Sequence, residues 1–375
     1  MIRCIILSLL LMTGWSVVDI RAQESNVVSE SQPLSGDVKV EKAKGDVDVN
    51  ELVFGHIGDA YEWHIATIAN AELSIPLPVI VHTETGWHVF SSSRLHEGAE
   101  YEGLYIAPEG KYKGKVVERS VSGEEIRPFD ISITKNVLGL MINSAILLAV
   151  MLFCARWYKK HPIEDGAPKG GVGMIEATVM SVYNDVIKTC IGPDYQRYAP
   201  YLLTAFFFVL TNNLMGLIPI FPGGANVTGN IAITMVLAVM TFIMTNVWGS
   251  KEYWKDIFWP NVPIWLKCPV PMMPLIEFFG IFTKPFALMI RLFANIMAGH
   301  AAILSLVAII FITVKAGAII NGSMTVVAVA FGIFMDALEV LVAFIQAYVF
   351  TMLSAVFIGL SRVGGHEVEK GKLNQ

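Results

Sequence analysis

The sequence predicts an all-α polytopic membrane protein preceded by a small β-rich exported module. Three observations predict it. More than half of the 375 residues are apolar and only 16% are charged, whereas a soluble globular chain carries about 25% charge. The charge is also uneven: residues 23–135 hold 19 acidic and 10 basic side chains, while the longer stretch 136–375 holds 12 and 15. Finally, the C-terminal two-thirds contains several apolar runs near or above the ~20 residues that cross a bilayer as a helix.

In chain order, residues 1–22 read as a signal peptide. Arg3 supplies the positive start, Ile5 to Trp15 the apolar core, and Ala22 a plausible cleavage end. That core is too short to span a bilayer. The signal places residues 23–135 outside the cytoplasm. Residues 23–50 are polar, charged and poor in aromatics, the composition of a disordered acidic tail. Residues 51–135 alternate in short runs (Trp87 to Phe90, Leu104 to Ile106, Lys115 to Glu118) between Gly, Pro and Ser. This is the pattern of an antiparallel β module, here periplasmic. None of Cys4, Cys154, Cys190 and Cys268 lies in it, so no disulfide framework holds it. His56, His64, His82, His88 and His96 match no standard metal spacing and read as surface histidines. No metal and no cofactor are expected.

Residues 136–362 form the transmembrane domain, with 363–375 as a cytoplasmic tail. Val137 to Trp157 is the first span, and Arg156, Lys159, Lys160 and His161 mark its cytoplasmic end. Gly173 to Ile191 carries Glu176, Asp185 and Lys188 and reads as an amphipathic helix at the membrane surface. Tyr198 to Phe221 and Val227 to Trp248 form a hairpin through an uncharged Pro-Gly-Gly link. Lys251, Lys255 and Lys267 mark a second cytoplasmic loop. Pro274 to Val314 and Ser323 to Leu360 would each be about 60 Å long as helices, twice the ~30 Å hydrocarbon core. No proline follows Pro285 in the first or interrupts the second, which predicts two long helices that tilt. Arg362, Lys370 and Lys372 put the C-terminus inside. The charges agree with five spans and an outside N-terminus.

Ionisable groups inside apolar helices are costly and point to function. Glu277, Lys284 and Arg291 are seven apart, nearly two helical turns, and share a stripe that Asn295 extends. Arg291 lies between Ile290 and Leu292 in a wholly apolar setting. An arginine there costs about 2.5–3.5 kcal/mol on insertion scales, and its guanidinium keeps its proton. It therefore needs a counter-ion. Within this chain the deep carboxylates are Asp336 and Glu339; a carboxylate on another chain is at least as plausible a partner. His300 lies half a turn out of phase with Arg291 and offers itself to the neighbouring helix, where Glu339 and Gln346 share a face. A His–Glu pair there is either a protonatable relay or a polar patch that pins the hairpin. Residue types alone favour neither.

Arg291-Leu292-Phe293-Ala294-Asn295-Ile296-Met297-Ala298-Gly299-His300 resembles the signature of subunit a of F-type ATP synthases. Glu339 with Gln346 to Thr351, and Ala199-Pro200 with Asn212 to Pro219, follow in the family's arrangement. The resemblance covers about residues 130–362, and several motifs in order make it specific. It implies the proton-conducting stator subunit of a bacterial inner-membrane F1F0 complex. Its partners would be the c-subunit ring, the peripheral-stalk b subunits and the lipid bilayer, with no nucleic acid. By resemblance, Arg291 faces the ring carboxylate. Asn295, His300, Glu339 and Gln346 fall on the outside half-channel and Glu277 on the cytoplasmic one, with Asp336 in the same proton path. The histidine and acid stand on the opposite helices from some members. The ATP chemistry lies in other subunits.

Two other classes fit less well. A stand-alone transporter binding an anionic substrate at Arg291 predicts repeated halves or broken helices, and no internal repeat is visible. An intramembrane enzyme would need a nucleophile or metal motif in a span, and none is found. The sequon at Asn226 is read as chance.

Overall fold

The computed structural model describes residues 58–68, 71–108, 110–119, 125–161, 166–218, 221–258, 272–314 and 317–362. The expected signal peptide, acidic tail and C-terminal tail lie outside the described residues.

Alternating sequence yields short strands, as the pleat requires. β1 (Glu62–Ile68) pairs antiparallel with β2 (Ala71–Pro76). β3 (Pro78–Thr83) lies between β4 (Gly86–Ser91) and β8 (Phe129–Asp130). A 3₁₀ helix (Ser92–Gly98) leads to the third sheet, in which β6 (Val116–Arg119) is flanked by β5 (Leu104–Ile106) and β7 (Glu125–Ile126). The inward positions Val79, Val81, Phe90, Leu95, Leu104 and Val116 form a small core of their own with Tyr61. Tyr61 closes it by donating a 2.5 Å hydrogen bond to buried Asp130. Burial beside that carboxylate pushes the Tyr61 hydroxyl far above its ordinary pKa.

The helical part is the larger. α1 (Lys135–Lys160) follows β8 directly. α2 (Gly171–Ser181) continues through a π-helical turn (Val182–Lys188) and one α turn (Thr189–Ile191). α3 spans Tyr195–Leu217 and α4 Ile231–Val247, and α5 (Lys251–Phe258) bends away from α4 by 99°. α6 (Met272–Thr313) and α7 (Ala318–Leu360) have 42 and 43 residues without a break. Among the described residues four helices are long and apolar enough to cross a membrane, or up to five if α4 with α5 is one span.

Two elements differ in detail from the sequence expectation. The third span begins at Ile231 and not at Val227, and has only 17 helical residues. The cause is local capping: Asn226 Oδ1 accepts the Gly229 N–H and Asn230 Oδ1 accepts the Ala232 N–H, which holds 226–230 as a loop. The helix expected at 173–191 exposes Asp185 and Lys188 and leaves Glu176 half-buried. Its other side is buried deeply, since Val182, Val186, Ile187 and Ile191 belong to the main core with α1, α3 and α7.

The core sits among α1 to α4 and α7, where Phe206, Phe208, Leu202, Leu237 and Phe350 are almost fully buried. In α6 and α7 only 11% and 17% of the most apolar window is buried, against 61% in the α2–α3 stretch. The two long helices therefore present broad apolar faces. The C-terminal end of α7 is fixed at Arg362, which donates to Asp194 at 2.5 Å and to the Trp248 carbonyl at 3.1 Å.

A tight contact sits at Gly359, where a Cβ would lie 2.1 Å from the Cys190 carbonyl oxygen. Gly359→Ala is expected to force α7 off the end of α2. Overpacking of this kind costs about 1–3 kcal/mol. Thermal unfolding of the detergent-solubilised subunit, followed by circular dichroism, should show a lowered midpoint.

Candidate functional site: a buried His–Glu pair and an open arginine

The site is built at a close contact between α6 and α7. A Cβ on Gly299 would stand 2.6 Å from Glu339 Oε1 and 2.9 Å from its Cδ. Only glycine leaves room for the carboxylate to tuck against the α6 backbone. One residue on, His300 Nδ1 lies 3.6 Å from Glu339 Oε1. That is ion-pair range and too long for a direct hydrogen bond. Glu339 is 5% exposed, and neither of its oxygens has a hydrogen-bond partner. Unpartnered buried carboxylate oxygens are costly. Asn295 Nδ2, one turn before Gly299, is likewise buried and unpartnered.

Polar residues of α1, α3 and the α3–α4 loop surround this pair. Asn213 Nδ2 donates to the Ala343 carbonyl, one turn beyond Glu339, at 3.3 Å. Thr228 donates to Asn213 Oδ1 at 2.7 Å, and Asn143 Nδ2 to Asn212 Oδ1 at 3.0 Å. Asn143 and Asn213 are 1% and 2% exposed. Sequence reasoning had not singled out Asn143, Asn213 or Thr228 for the site. The signal was present, because amides inside apolar spans are unusual, but their partners lie on other helices. Asn226 and Thr228 are both buried, so the glycosylation sequon is sealed inside.

The other face of α6 is open. Lys284 and Arg291 are exposed and, with Thr283, Leu288, Leu353 and Phe357, line a groove of about 290 Å³ between α6 and α7. Among the described residues no carboxylate forms an ion pair with Arg291. The structure thus brings together His300 and Glu339 and keeps Arg291 apart from them. Asp336, one turn before Glu339, is exposed, and Gln346 is half-buried on the Glu339 side of α7. Glu277 is half-buried near the start of α6, within electrostatic reach of Tyr253 on α5. Among the described residues no three His, Cys, Asp or Glu side chains gather as a metal would need. His88 instead pairs with Glu102, and His96 stands 3.6 Å from Glu62. His56 lies outside the described residues.

An ionisable pair inside a helical membrane bundle, beside an arginine that opens sideways, is the frame in which the comparisons fall. The family described as ATP synthase A chain matches residues 138–359. The chain belongs to this family. A protein of Chlorobium phaeobacteroides (strain DSM 266 / SMG 266 / 2430) named ATP synthase subunit a is 48% identical over 239 residues, 62% of this chain and 66% of that protein. One of Chloroherpeton thalassium with the same name is 42% identical over 243 residues, 63% and 68% of the two chains. One of Chlorobium phaeobacteroides (strain BS1) is 44% identical over 283 residues, 73% and 77%. The chain therefore spans about two thirds to three quarters of the length of these relatives. The reading of it as a membrane subunit of an ATP synthase holds. A domain family of unknown function, DUF8433, matches residues 52–133, the β-rich part.

Gly299→Ala is expected to displace Glu339 from His300 by about the width of a methyl group. A misplacement of ~1 Å at a reacting centre costs on the order of 10²-fold. Proton flux through the reconstituted membrane sector should fall by about that factor while the complex still assembles; unaltered flux would mean the close approach is only a packing device.

Proposed function

We propose that the chain is the stator subunit of the membrane sector of a rotary ATP synthase, and that it carries protons past a ring of small subunits through two half-channels. One observation carries the reading. A permanent intramembrane charge, Arg291, stands in an open groove without a counter-ion among the described residues, while a protonatable pair, His300 and Glu339, is buried between α6 and α7.

The chemistry follows from those two environments. A guanidinium stays charged and favours the ionised form of a carboxylate brought against it. A ring carboxylate that reaches Arg291 gives its proton toward the cytoplasm by way of Glu277. It takes the next from outside by way of Asn295, His300, Glu339 and Gln346, with Asp336 alongside. Once neutral, it passes into lipid at low cost. Arg291 also bars a proton from crossing directly between the two paths, because a second positive charge beside it is unfavourable. The exposed faces of α6 and α7 suit a curved helical ring and the bilayer. The b subunits of the peripheral stalk hold the subunit still, and the chain performs no ATP chemistry itself. It lies in a bacterial inner membrane as five spans and one surface helix, with its N-terminus in the periplasm and its C-terminus in the cytoplasm. The two long helices tilt to fit the hydrocarbon core.

Arg291→Ala should reduce ATP-driven proton pumping in inverted vesicles to background, with the complex still assembled; retained pumping would overturn this reading. For the orientation, a cysteine introduced at Phe221, at the exposed start of the α3–α4 loop, should react with an impermeant thiol reagent only from the periplasmic side. One at Lys255 should react only from the cytoplasmic side, and the reverse pattern would invert the topology.

A further inference from the structure

The groove that holds Arg291 adjoins a second, smaller space. The two share Lys284 and Phe357 as walls. The smaller cavity has about 20 Å³ and is also lined by Thr245 and Asn246 of α4, Tyr253 of α5 and Ile281 of α6. A cavity needs about 10–15 Å³ to hold one water, and two to four polar partners to keep it. This one has the room, and Thr245, Asn246, Tyr253 and Lys284 supply the partners.

The elbow between α4 and α5 aims Tyr253 into this space. α5 turns from α4 by 99°. A Cβ on Gly249 would lie 2.9 Å from Tyr253 Cδ1 and 3.1 Å from the Thr245 carbonyl oxygen, so glycine lets the ring fold back against α4. Ser250 Oγ accepts the Tyr253 N–H at 3.1 Å, a cap that starts α5. The Ser250 N–H donates to the Ser361 carbonyl at 2.9 Å, which ties the elbow to the end of α7. The Tyr253 O–H donates to Asn246 Oδ1 at 3.2 Å, and Asn246 Nδ2 donates to the Phe242 carbonyl at 2.8 Å. On α6, Ile281 lies one turn after Glu277 and nearly one turn before Lys284, so the three share a face. The Glu277 carboxylate acts electrostatically on Tyr253.

We propose that this cavity is a water-bearing step of the cytoplasmic proton path, and that the Tyr253 hydroxyl passes protons between its water and Glu277. A proton leaving the groove moves to the water and then to the Tyr253 oxygen, as the hydroxyl gives its own proton toward the Glu277 carboxylate. Only O–H bonds form and break, and water and phenol end as they began, so the step needs no co-reactant. Lys284 does not bar this step as Arg291 bars the direct crossing, because an ammonium can give up its proton and a guanidinium cannot. The proposal rests on the stator reading above and adds Tyr253 to its cytoplasmic side.

The test measures ATP-driven proton pumping by the whole complex in inverted vesicles. Tyr253→Phe removes the hydroxyl and keeps the ring. Pumping is expected to fall about tenfold, less than the ~10²-fold of a positioned proton-transfer group, since water partly replaces a hydroxyl. Tyr253→Ser returns a hydroxyl and leaves room for water, so it should recover most of the parental rate although it removes more packing. Parental pumping in Tyr253→Phe overturns the proposal. So does a Tyr253→Ser rate at or below that of Tyr253→Phe, which marks the ring as packing alone. Should Tyr253→Phe fail to assemble, Thr245→Ile fills the cavity from α4 and leaves the hydroxyl in place. A comparable loss of pumping then supports the proposal, and the parental rate overturns it. Arg291→Ala measured in parallel separates the two readings. If Arg291→Ala still pumps, the stator function fails. If it does not pump while Tyr253→Phe matches the parent, only the role of the cavity falls.

Discussion

Everything at the centre of this bundle depends on two helices of more than 40 residues approaching closely at one level. Gly299 sets that level, because Glu339 occupies the space a side chain would need. The approach removes the carboxylate from lipid and from bulk water and leaves it facing His300. Burial of an ionisable group without a full set of hydrogen bonds is unfavourable by several kcal/mol. A fold keeps such a group only where the surrounding packing enforces it. The α6–α7 contact is the enforcing element, and Asn213 reinforces it by binding the α7 backbone at Ala343.

The remaining polar interior has a different character. Asn143, Asn212, Asn213, Thr228, Tyr201 and Thr241 mostly pair with one another across α1, α3, α4 and the loop between α3 and α4. Hydrogen bonds between membrane helices are modest individually, about 0.6–2 kcal/mol. Their value here is positional, since satisfied amides fix the rotation of each helix about its axis and thereby the direction in which α7 presents Glu339. Asn143 keeps one unpartnered oxygen within this scaffold, whereas both Glu339 oxygens are unpartnered.

Much of this was legible in the sequence, for reasons that differ by element. The two long helices followed from length and from the absence of proline after Pro285, both local properties. The arginine and its stripe followed from helical phase. Strands in the module followed from alternation, but their division into three small sheets did not, because pairing joins distant segments such as β3 with β8. The start of α4 was misplaced by four residues because apolarity of Val227 outweighed the capping chemistry of Asn226 and Asn230. The Asn143–Asn212 pair was out of reach, since its members lie 69 positions apart. The seating of Trp63 in the membrane core was also invisible, because a tryptophan in a strand reads as a residue of its own sheet.

That Arg291 and Glu339 form no ion pair has a physical rationale of its own. An intramolecular salt bridge between them would neutralise both and stabilise a single resting state. With Arg291 turned to an open groove beside Leu353 and Phe357, its charge is left to act on whatever approaches from outside the chain. With Glu339 turned inward, the ionisable group it faces is His300. A helix has two faces, and placing His300 half a turn out of phase with Arg291 uses both. One face leaves a permanent charge open to the surroundings, and the other holds a buried ionisable pair.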